Sequence, residues 1–332
     1  MSELGELDLR RARPARDLEG LRALAGIRSR LFGRADAPLT VGRYRLGERL
    51  GAGGLGVVYA ARDPQLDREV AIKLLRSPPG SGRAREQGRL LREARAMARL
   101  SHPNVIEVFD VGTYEGLHGL DDAELPARGV FIVMARLEGE TLQQWLAVPR
   151  PWPTVLQRFV AAGRGLSAAH AAGLVHRDLK PANVFVERDG RVRVLDFGLA
   201  RGTGRASETL SDDDLRGASL DDALQSITIA GAVLGTPAYM APEQHEGDGA
   251  DARSDQYSFC AALYHGLYGV LPFRGSALDE LADQKSRLAL RAPSPDVAVP
   301  RWLGAVLRRG LAPEPIERWP SMDALLRELE RR

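Results

Sequence analysis

The chain has 332 residues, 44% hydrophobic and 27% charged, with 46 Lys and Arg against 44 Asp and Glu for a formal charge of +2. This length and balance exclude wholesale disorder and a dedicated nucleic-acid coat, and leave room for two domains or one large two-lobed one at about 150 residues each. One cysteine, Cys260, excludes an intramolecular disulfide framework and a multi-cysteine zinc site, and no apolar run approaches the ~18 residues of a spanning helix, so a cytoplasmic protein without a membrane span is expected.

Residues 1–39 differ from the rest. Leu21, Leu24, Ile27 and Leu31 recur at helical spacing, and residues 1–34 carry eight Arg against five acids. They read as a basic amphipathic helix set before the main domain. From Tyr44 the pattern turns to strands around glycines. Tyr44-Arg45-Leu46 alternates, the glycine string 51–56 follows, then Val57-Val58-Tyr59 and the β-branched run 69–75. Leu90, Leu91, Ala94, Met97 and Leu100 mark a helix from about Ala84, stopped by His102-Pro103. Strands are expected at Val105–Val111 and Val130–Met134, joined by an enlarged polar loop.

After Gly139 the character becomes helical. Thr154 is the expected cap of a helix whose stripe is Val155, Leu156, Phe159, Val160, Gly163, Leu166 and Ala169. Short strands fall within Val175–Val194. Residues 199–227 are polar and aperiodic and read as a long flexible loop, and helices resume from Ser254. Strands first and helices later predict an α+β architecture with a small β-rich lobe and a larger α-helical one.

The glycine string fits Gly-x-Gly-x-x-Gly-x-Val through Gly51, Gly53, Gly56 and Val58, with Gly54 inside it. Glycines let a tight hairpin bring backbone amides onto phosphate oxygens. A dinucleotide fold needs a helix after such a string, and here a strand follows. Lys73 lies inside an apolar strand, where its charge needs pairing. Phosphates and a carboxylate would pair it. Glu93, in mid-helix among Leu90, Leu91, Ala94 and Met97, is preferred over Glu86 near the helix start.

The strongest signal is His176-Arg177-Asp178-Leu179-Lys180-Pro181-Ala182-Asn183, with Asp196-Phe197-Gly198 thirteen residues on. With these motifs the chain resembles the eukaryotic-like Ser/Thr protein kinases of bacteria, from about Tyr44 to Arg332. The resemblance implies the two-lobed protein kinase fold, with a lobe of 40–137, a second of 138–332 and an activation segment of 196–243. It implies ATP with Mg²⁺, or Mn²⁺ in its place, and protein substrates bearing Ser or Thr. By the same resemblance Asp178 handles the acceptor hydroxyl's proton and Lys180 the γ-phosphate charge. Asn183 and Asp196 ligate the metal, and Lys73 pairs with Glu93. Leu50, Val58, Ala71, Met134, Ala135, Leu137 and Phe185 line the adenine site. Hard oxygen ligands suit Mg²⁺.

Gly235–Glu243 resembles the family's substrate-facing segment and its closing Ala-Pro-Glu. Glu243 is expected to pair with Arg318, and Asp255 to tie down the catalytic loop; both roles are structural. Lys180 and Thr236 match the serine/threonine form. Arg177 stands where the family pairs an arginine with a phosphorylated loop, and Thr228 aligns best with the autophosphorylation site, which a homodimer would serve. Its frequent second site is Ala230 here. Residues 199–226 carry six acids against three Arg, opposite in sign to the N-terminal helix. A nucleotide-binding pseudokinase or scaffold is the alternative, although no motif residue is lost. A small-molecule kinase of the aminoglycoside type would lack Ala-Pro-Glu and Arg318. His102 and Cys260 read as structural.

Overall fold

The computed structural model describes residues 39–53, 56–75, 83–115, 128–197, 237–245, 249–275, 277–293 and 298–331. The N-terminal helix expected before Leu39, Gly54, most of the loop before Arg128, and the stretch 198–236 with Thr228 and Thr236 lie outside the described residues. The described chain divides into two compact units. One runs to Ala98 and resumes over Val108–Arg136, and the other takes Arg99–Glu107 and Leu137 onward.

The first unit is an antiparallel sheet. Its strands are β1 (Thr40–Val41), β2 (Tyr44–Gly53), β3 (Gly56–Asp63), β4 (Arg68–Leu75), β5 (Val108–Glu115) and β6 (Arg128–Ala135), in spatial order β1-β2-β3-β4-β6-β5. Side chains alternate across a pleated sheet, so register decides which residues share a face. Val57, Tyr59, Val70, Ile72, Leu74, Phe131 and Val133 fall on one face and form the core with Tyr44 and Tyr114. Tyr44 meets Phe131 edge-on at 6.2 Å. The pairs Val58↔Lys73, Lys73↔Ile132 and Ala71↔Met134 then occupy the opposite face. Helix α1 (Arg83–Met97) packs on β5 and β6, burying Leu90, Ala94 and Met97. It ends at Met97, before the expected stop at His102-Pro103.

The expected strand Val105–Val111 begins only at Val108. Val105 instead bridges Val194 in the second unit, where Ile106 N donates to the Val194 carbonyl at 3.0 Å. Val194 N donates to the Asn104 carbonyl at 2.9 Å. This long-range pairing takes the segment away from the strand that its local sequence suggests.

The second unit opens with β7 (Gly139–Thr141) and a short helix, α2 (Leu142–Trp145), where the sequence suggested only helix. Thr141 and Gln144 form a capping box at its start. Helix α3 (Trp152–Ala171) buries Val155, Phe159, Val160, Gly163, Leu166 and Ala169. Its N-cap is Pro151, not Thr154. Pro153 suits the first turn, whose amides have no intrahelical acceptor, so the helix begins three residues early. Strands β8 (Val184–Glu187) and β9 (Val192–Val194) complete a sheet in the order β7-β8-β9.

Helix α4 (Pro242–His245) precedes α5 (Ala252–Tyr268), which starts two residues before the expected Ser254. Asp251 caps α5 in a capping box with Ser254. Every residue from Ser254 to Tyr264 is buried, so α5 is a central helix enclosed on all sides. Helix α6 (Leu278–Ser286) packs on α4, while α7 (Arg301–Gly310) and α8 (Met322–Glu330) pack around α3 and α5. Among the described residues no helix is long and apolar enough to cross a membrane.

Candidate active site

The first unit carries the glycine hairpin. Gly53 pairs with Gly56 where β2 turns into β3, and an extra residue, Leu50, forms a bulge between Arg49 and Gly51. Gly56 has φ +151°, and a Cβ there would lie 2.0 Å from the Leu74 carbonyl oxygen, so the fold itself requires glycine. Gly51 and Gly53 differ. A Cβ on either meets open space, and neither has a positive φ. Among the described residues nothing demands glycine at these two positions, which leaves the backbone open to the approach of a ligand.

Lys73 is 5% exposed, two residues before the end of β4. The register sets it beside Val58, and Ala71 beside Met134, on one face of the sheet. Ala135 pairs with Val70 and so points with the core face instead. Glu93 is half-buried on the α1 stripe, three residues after Leu90 and four before Met97. The Glu86 side chain lies outside the described residues.

The second unit carries the polar cluster. An antiparallel pair, Val184↔Val194, fixes the end of the β8–β9 hairpin. Asn183 stands immediately before β8 and Asp196 two residues after β9, so both fall at the same end. Leu195 N donates to the Asn183 carbonyl at 2.9 Å and strengthens that alignment. Lys180 Nζ donates to Asp178 Oδ2 at 2.8 Å. Asn183 Nδ2 donates to the Asp178 carbonyl at 2.8 Å and to Oδ2 at 3.2 Å. With its NH₂ turned to Asp178, the Asn183 amide has its Oδ1 as the remaining ligating atom. Asp196 has φ +57°, a left-handed conformation that directs its side chain off the strand line. Leu137 and Phe185 are half-buried in this unit.

The loop is held from behind. Asp255 on α5 accepts from the amides of His176 and Arg177, each at 2.7 Å, and lies 2.8 Å from His170 Nε2. His176 Nε2 donates to the Leu195 carbonyl at 2.8 Å, and its Nδ1 accepts from Asp178 N at 3.3 Å. One imidazole thus links the loop before Asp178 to the residue before Asp196. Arg177 has φ +67°, and its carbonyl accepts from Gln244 Nε2 at 2.9 Å. Glu243 and Arg318 form a bidentate pair with both distances 2.8 Å. Burial works against the Glu243 charge, but Arg318 and the Ser254 hydroxyl outweigh it and hold the carboxyl below its usual range.

Sequence reasoning missed two of these contacts, the His176 link and the Gln244 bridge, and it missed the buried Lys285 of α6. Lys285 offered a signal, because it falls four residues after Leu281 on the single apolar stripe of α6. His102 Nδ1 accepts from Asn104 N at 3.1 Å. Cys260 is wholly buried, and burial pushes its thiol far up, so it is inert at neutral pH. Among the described residues no cluster of three or more His, Cys, Asp or Glu could hold a metal.

A family profile described as "Protein kinase domain" matches residues 44–327. The chain belongs to the protein kinase family. The kinase is 36% identical over 295 residues to "Probable serine/threonine-protein kinase SCO3848" of Streptomyces coelicolor, covering 87% of this chain and 40% of that protein. It is 35% identical over 296 residues to "Serine/threonine-protein kinase PknB" of Mycobacterium tuberculosis, covering 87% and 42%. A third relative, from Corynebacterium efficiens, is 33% identical over 297 residues. The kinase therefore spans about two-fifths of the length of the curated relatives it matches.

Proposed function

We propose that this kinase transfers the γ-phosphate of ATP to Ser and Thr hydroxyls of proteins. The observation that carries this reading is the bonded trio Asp178, Lys180 and Asn183, with Asp196 at the same end of the β8–β9 hairpin as Asn183. Phosphoryl transfer needs positioning and charge neutralisation more than covalent help. Asp178 would orient the acceptor hydroxyl and take its proton as the oxygen bonds to the γ-phosphorus. The bond to the bridging oxygen breaks, and ADP leaves. Lys180 would offset charge on the moving phosphoryl group.

Lys73, with Glu93 as its carboxylate, would hold the other phosphates under amides from Gly51 to Gly56. The open space over Gly51 and Gly53 leaves their backbone accessible to phosphate oxygens. Leu50, Val58, Ala71, Met134, Leu137 and Phe185 would line the adenine site, with Ala135 supplying backbone. Asn183 and Asp196 would hold Mg²⁺, or Mn²⁺ in its place, and their hard oxygen atoms suit both. The metal would neutralise phosphate charge. Pro237–Met240 would face the acceptor protein, and Thr228 would be the autophosphorylation site, reached within a homodimer. An ATP-using domain with one inert thiol fits the cytoplasm.

Intact mass after incubation with Mg·ATP tests the proposal. The wild type should gain about 80 Da per phosphate and Asp178→Asn should not. No gain in the wild type, with nucleotide still bound, would instead support a scaffold.

A further inference from the structure

Lys285 is fully buried on α6, yet no role in phosphate chemistry reaches it. A buried ammonium persists only where hydrogen bonds replace its water. Its Nζ has three acceptors: the Pro237 carbonyl at 2.7 Å, the Met240 carbonyl at 2.6 Å and His245 Nε2 at 3.0 Å. An ammonium has three N–H bonds, so donors and acceptors match one to one. Two of the acceptors bracket one turn, in which Met240 N donates back to the Pro237 carbonyl. The ammonium therefore closes the turn like a rivet.

The same turn is tethered on its other side. The Tyr239 hydroxyl meets His265 Nδ1 of α5 at 2.8 Å. Burial lowers His265 and keeps it neutral, so its Nδ1 can accept. Tyr239 is held protonated by burial, up to about 12, and so remains a donor. Gln244 adds a third link, from this segment to the Arg177 carbonyl. Four residues of the turn are thus fixed through its own backbone and one phenol, leaving its outer surface to a partner.

We propose that Lys285 is a positioning residue for the acceptor protein, holding the Pro237–Met240 turn in the shape that docks the chain beside the phosphorylated hydroxyl. This rests on the reading of the molecule as a protein kinase. Groups facing Lys285 are Glu243 and His245 from α4 and the Tyr257 ring from α5, 5.9 Å away. The tether tolerates loss of its proton. A neutral amine still donates to both carbonyls and accepts from a His245 that carries its hydrogen on Nε2. Lys285 thus acts on protein binding and leaves phosphate handling alone.

Steady-state kinetics of Lys285→Met, which keeps the length but removes the donors, test this with myelin basic protein as acceptor. KM for the acceptor should rise about tenfold, with KM for ATP and acceptor-free ATP hydrolysis within twofold of wild type. Tyr239→Phe, a smaller change at the opposite tether, should raise acceptor KM in the same direction, and it serves if Lys285→Met does not fold. Lys285→Arg, which restores donors, should recover part of the loss. Unchanged acceptor KM in the folded variants, or an equal rise in KM for ATP, would overturn the inference while an active wild type left the kinase reading standing. A wild type that phosphorylates neither itself nor the acceptor would defeat the kinase reading instead.

Discussion

Arg318 uses all five of its N–H bonds. Nε donates to the Ala312 carbonyl, Nη1 to Glu243 and the Arg253 carbonyl, and Nη2 to Glu243 and the Pro313 carbonyl. It is 1% exposed, and the Tyr257 ring lies 5.0 Å from its guanidinium carbon. Lysine has three donors on one atom and cannot match this set. Arg318→Lys should leave at least two buried acceptors bare, at about 1–3 kcal/mol each. The melting temperature should fall by several degrees with little change in KM for ATP, read by calorimetry and kinetics together. An unchanged melting temperature would mean that the five bonds contribute little net stability. Arg318 acts on architecture and touches no reacting atom.

At the scale of elements, the β2–β3 hairpin separates two kinds of glycine. Gly56 is required by a left-handed backbone and the nearby Leu74 carbonyl; Gly51 and Gly53 face open space. Gly56→Ala should destabilise the first unit by about 1–3 kcal/mol. Gly51→Ala should leave the melting temperature alone and raise KM for ATP by about tenfold, or 1.4 kcal/mol. Equal effects on stability and binding for the two substitutions would contradict the assignment of roles.

The same hairpin was legible in sequence. Strand alternation, glycine spacing and Lys73 in an apolar run all act over a few residues, and the polar trio lies within six positions. The end of α1, the Pro151 cap and the strand β7 were not legible, because short elements depend on neighbours. The swing of Val105 and Ile106 onto Val194, and the burial of Lys285 against Pro237 and Met240, depend on residues tens of positions away. Local pattern carries no record of such pairings.

For the whole molecule, stability against pH follows from two buried groups. Burial lowers Lys285 to about 7 from its ordinary 10.5, with Glu243 pulling the other way. Between those values the unfolded chain holds a proton that the folded chain has lost. Stability therefore rises with pH across that window, and the slope should vanish in Lys285→Met. Glu243 acts at the acid end. Its carboxyl lies below its ordinary 4.5, so the unfolded chain protonates first as pH falls, and stability declines below about that pH. Glu243→Gln should flatten this acid limb while lowering the plateau. Denaturant titrations at a series of pH values would read both, and a pH-independent difference between wild type and variant would refute either assignment.

The excursion Arg99–Glu107 has a consequence for synthesis. The first unit's chain is broken by nine residues that belong to the second. On the ribosome, β1 through β6 are all available once Ala135 emerges. The intervening loop finds its partners only when Val192 and Val194 follow, since Asn104 and Ile106 bond to them. The nascent chain thus carries an unanchored loop between α1 and β5 for the time needed to translate β7 through β9. Until those strands follow, that loop would be open to chaperones and proteases.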